Sequence, residues 1–288
     1  MKKILAFVLA IAMIASVAVL SACSNDKKDD SKKTEETKAD TNVDIAKGET
    51  AAIETKGVEF DDDGVLVMAT NAYFPPYEFY DGEEIVGIDA EIGKAIADKL
   101  GMEFKIEDIE FDAIITGVQS GKFDMGMAGM TVTEERLQSV DFSDSYATGV
   151  QSIIVPEDSK ITSIEDILAE GSTYKVGVQL STTGDIYIHD DLGEEATTRV
   201  EQYQTGNDAV AALSSGKIDA VIIDNEPAKS YVAATAGLKI LDTEYVTEDY
   251  AICFAKGNPL KDKVNDALKA LIADGTVQSI VDKYISAE

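Results

Sequence analysis

Residues 124–136 read DMGMAGMTVTEER, and that stretch decides the fold. Met125, Met127 and Met130, separated by Gly126, Ala128 and Gly129, predict a short buried strand whose small residues admit another backbone or a small ligand. From Thr131 the pattern turns into a helix start. Thr131 with Glu134 fits a capping box, Thr133 is the alternative cap, and Glu134 and Glu135 suit the positive end of a helix dipole. Strand, tight turn and helix N-terminus in succession present backbone N–H groups at a strand's carboxyl end, where α/β folds bind anions and small ligands. Arg136, one turn in, carries a planar fork matched to a carboxylate. Taken alone, the same residues also fit an ordinary capped helix whose arginine pairs with Glu134 or Asp141 on the surface.

The stretch has a counterpart further along. Residues 118–124 (VQSGKFD) match residues 213–219 (LSSGKID), each a helix end, a Ser-Gly-Lys turn and an aspartate opening an apolar strand. Counted from each turn, Gly129 and Asp224 fall at the same offset, so two facing units would bring both to one cleft. A helix–turn–strand unit is also generic in α/β chains, and the match is short.

Around these units strand and helix alternate, which predicts mainly parallel sheets. Residues 65–70 and 104–106 read as strands, and 88–100, closed by Gly101, and 111–119 as helices. Residues 150–155 read as a strand leaving the first unit. A second series follows: strand 175–178, turn 179–184, a strand near Val200, helix 208–215, strand 220–224 and helix 226–236. Strand 249–255 then leads to helices 260–273 and 277–285, which have no strand of their own and pack on the first unit. Two connecting strands make a hinge.

At 288 residues and 45% hydrophobic content the chain has material for two cores. A net charge of −29 with no Lys/Arg cluster argues against nucleic acid as a partner. Lys2 and Lys3 precede an apolar run over 4–20, and small residues lead to Cys23, so 1–22 is expected to be an export signal; the run is short for a retained membrane helix. Its Leu-Ser-Ala-Cys ending resembles a bacterial lipoprotein lipobox, which implies cleavage before Cys23 and acylation there. Residues 23–57 hold Lys, Asp, Glu, Thr and Ser with few large apolar side chains, the composition of a disordered tether. Cys253 is then the lone thiol, a small core residue with no disulfide partner. The 61–64 run DDDG reads as a plain turn, because a calcium loop begun at Glu59 would need an acid where Thr70 stands. His189 has no nucleophile elbow nearby, one histidine and one spare cysteine make a poor zinc set, and no phosphate-binding glycine loop occurs; no metal or cofactor is expected.

Four stretches together, ATNAYFPPYE (69–78), VGID (86–89), AGMTVTEER (128–136) and VDFSD (140–144), resemble the bacterial solute-binding proteins, family 3, of polar amino acid ABC transporters. The resemblance runs from about Val65 to the C-terminus. It implies an α/β, two-lobed periplasmic-binding-protein-like fold (type II), each lobe a mainly parallel sheet flanked by helices, joined by two hinge strands. Lobe 1 would take 58–148 plus 250–288, and lobe 2 would take 149–249. Carried onto this chain, Arg136 would hold the α-carboxylate of one amino acid, with the backbone N–H groups of Thr131 and Thr183. Asp224 would hold the α-ammonium, with the Gly129 carbonyl and the Thr131 hydroxyl. Phe74 and Phe111 would sandwich the side chain, with Asn71 and Gln179 as polar contacts further out. Members that bind cationic side chains often carry an acid at the place of Asn71, so the resemblance favours a neutral polar ligand such as glutamine; arginine is also compatible with the aromatic faces. It further implies a monomer, lipid-anchored on the extracytoplasmic face of the membrane (cell surface or periplasm), which closes on its ligand and delivers it to a cognate ABC permease without catalysis. The alternatives are a dehydratase of the same fold, with Glu226 as its loose acid–base candidate, and a surface lipoprotein for sensing or adhesion.

Overall fold

The alternating apolar run at the start of the folded body forms β1 (Val65–Thr70), whose Leu66 and Met68 are fully buried. A computed structural model describes residues 64–242 and 245–285; the expected signal, Cys23 and the tether lie outside the described residues. After β1 a small antiparallel sheet, β2 (Tyr73–Phe74), β3 (Glu78–Asp81) and β4 (Glu84–Val86), folds over the strand end. Next come α1 (Ile88–Leu100), β5 (Glu103–Asp108), α2 (Phe111–Gln119), β6 (Met125–Gly126) and α3 (Glu134–Ser139). Gly101 stops α1 in the left-handed region (φ 71°), its N–H bonding back to the Ala97 and Asp98 carbonyls.

The chain crosses to a second half through β7 (Val140–Pro156). That half contains α4 (Ile164–Leu168), β8 (Val176–Gln179), α5 (Thr183–Leu192), α6 (Ala196–Arg199), β9 (Val200–Tyr203), α7 (Gly206–Ser214), β10 (Ala220–Asp224), α8 (Asn225–Ala234) and β11 (Leu238–Ile240). It returns through β12 (Val246–Ala255) to α9 (Leu260–Ala273) and α10 (Thr276–Tyr284). Ile92 and Ile96 of α1 share one apolar cluster with Val264 and Leu268 of α9 and Val277 and Ile280 of α10, so the last helices do return to the first half. Each such fully buried aliphatic side chain contributes about 1.5–3 kcal/mol.

Among the described residues the main sheet runs β5-β1-β6-β12-β7-β10-β8-β9, with β11 on β7. Pairing is parallel within each half (β1 with β5 and β6; β8 with β9 and β10) and antiparallel wherever β7 or β12 takes part. The fold is thus the two-lobed α/β arrangement, its halves joined by two long strands that pair with each other. Their ladder slips in register between Tyr250 and Cys253, at the crossing. Cys253 is a buried free thiol, pushed up to about 12 by burial and so inert.

The short internal match has a common geometry. Gly121 and Gly216 both take positive φ (73° and 72°) after α2 and α7. Asp124 Oδ2 then accepts from the Val67 N–H at 2.7 Å, and Asp219 Oδ2 from the Lys175 N–H at 2.8 Å. In each unit the aspartate ties the incoming strand to its parallel neighbour.

Three local expectations need correction. Thr133, not Thr131, caps α3, its hydroxyl accepting from the Arg136 N–H at 3.1 Å. The connecting strand is not confined to 150–155: it covers Val140–Pro156, because its polar first half pairs with β12 while remaining partly exposed. The expected 179–184 turn is shorter, since Thr182 caps α5 by accepting from the Asp185 N–H.

Candidate functional site

The carboxyl ends of parallel strands from both halves meet at one cavity. Asn71 follows β1, Phe111 opens α2 after β5, Gly129 and Thr131 follow β6, Gln179 ends β8 and Asp224 ends β10. Phe74, Glu78, Ala128, Arg136, Thr182 and Thr183 complete its lining. All nine residues singled out in the sequence as ligand contacts line this cavity, and Glu78, Ala128 and Thr182 join them.

Arg136 is only 6% exposed, which rules out the surface-pair reading. Its Nη1 donates to the Thr131 carbonyl at 2.7 Å and its Nη2 to the Ser181 carbonyl, across in the second half, at 3.0 Å. A guanidinium has five N–H donors, so three stay available to a carboxylate in the cavity. Its Cζ lies 5.6 Å from the Phe111 ring centroid, a cation–π contact. Burial lowers the pKa of Arg136, and the nearby Glu248 carboxylate opposes that shift without cancelling it. Ser181 holds φ 64°, the left-handed region that a serine adopts only under constraint, and this aims its carbonyl at the guanidinium.

Asp224 occupies the N-cap position of α8 yet makes no capping bond. Its Oδ2 accepts from Gln151 Nε2 at 2.8 Å and its Oδ1 from the Tyr250 hydroxyl. Burial, then the nearby Glu248 charge, pushes Asp224 up to about 7. An acid held there gains most from an arriving cation.

Glu248, which the sequence did not single out, ties the site together. From β12, its Oε2 accepts from the hydroxyls of Thr131 and Thr183, both at 3.0 Å, and from Gln151 Nε2 at 3.1 Å. Both threonine hydroxyls are therefore oriented as donors to Glu248, which leaves their lone pairs to accept from an ammonium.

Gly129 takes φ 51°, and a Cβ there would stand 2.7 Å from Phe74 Cε1. Only glycine allows the aromatic ring to lie against this backbone. Its N–H donates to Asp89 Oδ2 at 2.9 Å.

At another wall, Gln179 Nε2 donates to Asn71 Oδ1 and to the Gln204 carbonyl, both at 2.9 Å, and Asn71 Nδ2 donates to the Ile109 carbonyl at 2.9 Å. The two amides join the halves, as do Arg136 with Ser181 and the Tyr231 hydroxyl with the Tyr73 carbonyl.

The arrangement offers one cation, buried acids, two amides and two aromatic faces; no serine or cysteine nucleophile paired with a base lines it. His189 sits on α5 with Nδ1 2.9 Å from the Asp185 carbonyl, outside the cavity lining. Glu226 is also outside it, paired with Lys229 at 3.0 Å. Among the described residues no cluster of His, Cys, Asp and Glu suited to a metal occurs.

The family model for bacterial extracellular solute-binding proteins, family 3, matches residues 66–287. The arginine-binding extracellular protein ArtP of Bacillus subtilis is 35% identical over 230 residues, 77% of this chain and 87% of ArtP. The ABC transporter glutamine-binding protein GlnH of the same organism is 32% identical over 292 residues, 100% of this chain and 99% of GlnH. Among solved structures, an ancestral arginine-binding protein bound to glutamine superposes with a TM-score of 0.72 at 39% identity, covering 78% of this chain and 99% of that one. An ancestral arginine-binding protein bound to arginine gives a TM-score of 0.72 at 40% identity, covering 77% and 99%. On the strength of the matched span and of these identities, the chain belongs to the family 3 bacterial extracellular solute-binding proteins.

Proposed function

We propose that this protein is the extracytoplasmic substrate-binding lipoprotein of an ABC importer, capturing one polar amino acid between its halves and delivering it to the permease. The observation that carries the reading is that Arg136 from one half and Asp224 from the other line the same cavity. An α-amino acid bears opposite charges on adjacent groups. Arg136, with the N–H groups of Thr131 and Thr183, is the carboxylate anchor; Asp224, with the Gly129 carbonyl and the Thr131 hydroxyl, is the ammonium anchor. Each charge-assisted hydrogen bond contributes about 1.5–3 kcal/mol and micromolar binding needs about 8 kcal/mol, so a handful suffices.

Phe74 and Phe111 flank the side chain, and Asn71 and Gln179 meet its polar end. Two amides at that end favour glutamine, and the ancestral protein caught with glutamine or arginine supports both as probes. The hinge consists of β7 and β12, with lobe 1 spanning 58–148 plus 250–288 and lobe 2 spanning 149–249. Because the contacts are drawn from both lobes, ligand free energy favours the closed form. Cys23 carries the lipid, 23–57 forms the tether, and the folded body works as a monomer.

The dehydratase alternative requires an acid or base aimed at a leaving group, and its candidate, Glu226, faces Lys229 instead. Calorimetry with a panel of amino acids separates the readings. Saturable one-to-one heat without turnover supports capture for transport, formation of a new product supports the enzyme, and no heat across the panel favours the sensing or adhesion lipoprotein.

A further inference from the structure

The strained turn before α5 is held by a side chain outside the cavity. Among the described residues Ser181 is the one residue other than glycine with positive φ, at 64°. The Thr182 N–H donates to the Gln179 carbonyl at 3.3 Å, so Ser181 is the third residue of a four-residue turn, where a positive φ ordinarily calls for glycine. A serine left to itself avoids that region, because its Cβ crowds the following carbonyl. Here the Ser181 N–H donates to Asp185 Oδ2 at 2.9 Å. In the other direction the Asp185 N–H donates to the hydroxyl of Thr182, the cap of α5. The two bonds make a reciprocal clasp, a capping box reaching one residue further back.

Asp185 is 5% exposed and does not line the cavity. Gln202 Nε2 of β9 donates to both of its oxygens, at 3.0 and 2.8 Å, and His189 Nδ1, one turn along α5, stands 2.9 Å from Oδ1. Those contacts hold the carboxylate in one orientation, with Oδ2 toward the Ser181 N–H. The next peptide plane is held at both ends: its N–H, on Thr182, meets the Gln179 carbonyl, and its carbonyl, on Ser181, accepts from Arg136 Nη2 at 3.0 Å across the cleft.

We propose that Asp185 is a positioning residue for the carboxylate anchor: by clasping the Ser181 N–H it keeps that residue left-handed and its carbonyl on Arg136. Without the carboxylate the serine relaxes to negative φ, the peptide plane turns over, and Arg136 loses its partner in the second half. The Thr131 carbonyl alone then fixes the guanidinium while it receives a ligand carboxylate. The inference rests on the amino-acid-binding reading above.

Calorimetry with glutamine and with arginine, on wild type and on variants of these two residues, tests it. Asp185→Ala should weaken both ligands by about 10- to 100-fold, the effect of one hydrogen bond from a charged donor. Ser181→Gly alone should bind as wild type does, since glycine takes positive φ at no steric cost. Added to Asp185→Ala, Ser181→Gly should restore affinity to within about threefold of wild type, because the turn no longer needs the clasp. An acid that served only the fold would not be rescued in this way. Ser181 is exposed, so Ser181→Val leaves the core and Asp185 intact while adding a β-branch that resists positive φ; it should weaken binding as Asp185→Ala does, and it decides the matter if Asp185→Ala does not fold. Affinity within about threefold of wild type in Asp185→Ala or in Ser181→Val, or a loss in Asp185→Ala that Ser181→Gly does not recover, would overturn the inference. Failure of the wild type to bind any amino acid would instead refute the reading on which it stands.

Discussion

Replacing Arg136 by lysine keeps a positive charge near Glu248 while removing the fork. Arginine uses two N–H groups on the Thr131 and Ser181 carbonyls, at 2.7 and 3.0 Å, and has three more for a ligand carboxylate. A lysine ammonium has three donors on one atom and cannot span both carbonyls and a bidentate carboxylate. The variant loses one bond to the carboxylate and one to a carbonyl, together about 2–4 kcal/mol, which is about 30- to 700-fold in Kd. Arg136→Ala removes the guanidinium together with both carbonyl bonds and should lose binding altogether. Calorimetry with glutamine reads the affinity, and thermal unfolding without ligand separates anchoring from folding. A lysine variant with unchanged unfolding and an affinity within about threefold of wild type would refute the carboxylate-anchor role of Arg136.

Three further outcomes follow from the same geometry. Asp224, raised from 3.8 to about 7, keeps in the native state a proton that the unfolded chain has lost; its contribution to stability is full below 3.8 and disappears as pH rises through about 7. Glutamine affinity should run the other way, strengthening as pH rises towards about 7 and levelling above, because the ammonium requires the carboxylate. A flat affinity profile below that point would count against Asp224 as the ammonium's partner. Tyr231→Phe deletes a hydroxyl that bonds the Tyr73 carbonyl between the halves, outside the cavity lining. Losing about 0.5–1.5 kcal/mol, it should weaken glutamine and arginine alike by about 2- to 12-fold, and a change in their ratio would be inconsistent with a closure contact.

Much of the frame was readable because local signals agreed with tertiary need. Val65–Thr70, Ile88–Leu100, Phe111–Gln119 and Leu260–Ala273 form where apolar period and end signals predict them. β7 was less legible, since Asp141, Ser143, Asp144 and Ser145 look like loop residues; what makes them a strand is pairing with β12, far away in sequence. Helix α5 was hidden in a Ser-Thr-Thr-Gly run that reads as a turn until Thr182 is seen to cap it. In the site, Arg136 and Asp224 stood out because each ends or follows a strand in a matched unit. Glu248 could not: its burial depends on Thr131, Gln151 and Thr183, three residues that sequence distance gives no reason to bring together. Glu78 lay within a quoted motif, but nothing local marks it as a buried wall of the cavity.

The most direct test of the central claim is a calorimetric comparison of glutamine with two analogues, 4-aminobutanamide, which lacks the carboxylate, and glutaramate, which lacks the ammonium. If a single zwitterion is held between Arg136 and Asp224, each analogue leaves one buried charge unanswered and binds at least about 100-fold more weakly than glutamine. An analogue that binds within about threefold of glutamine would contradict the account.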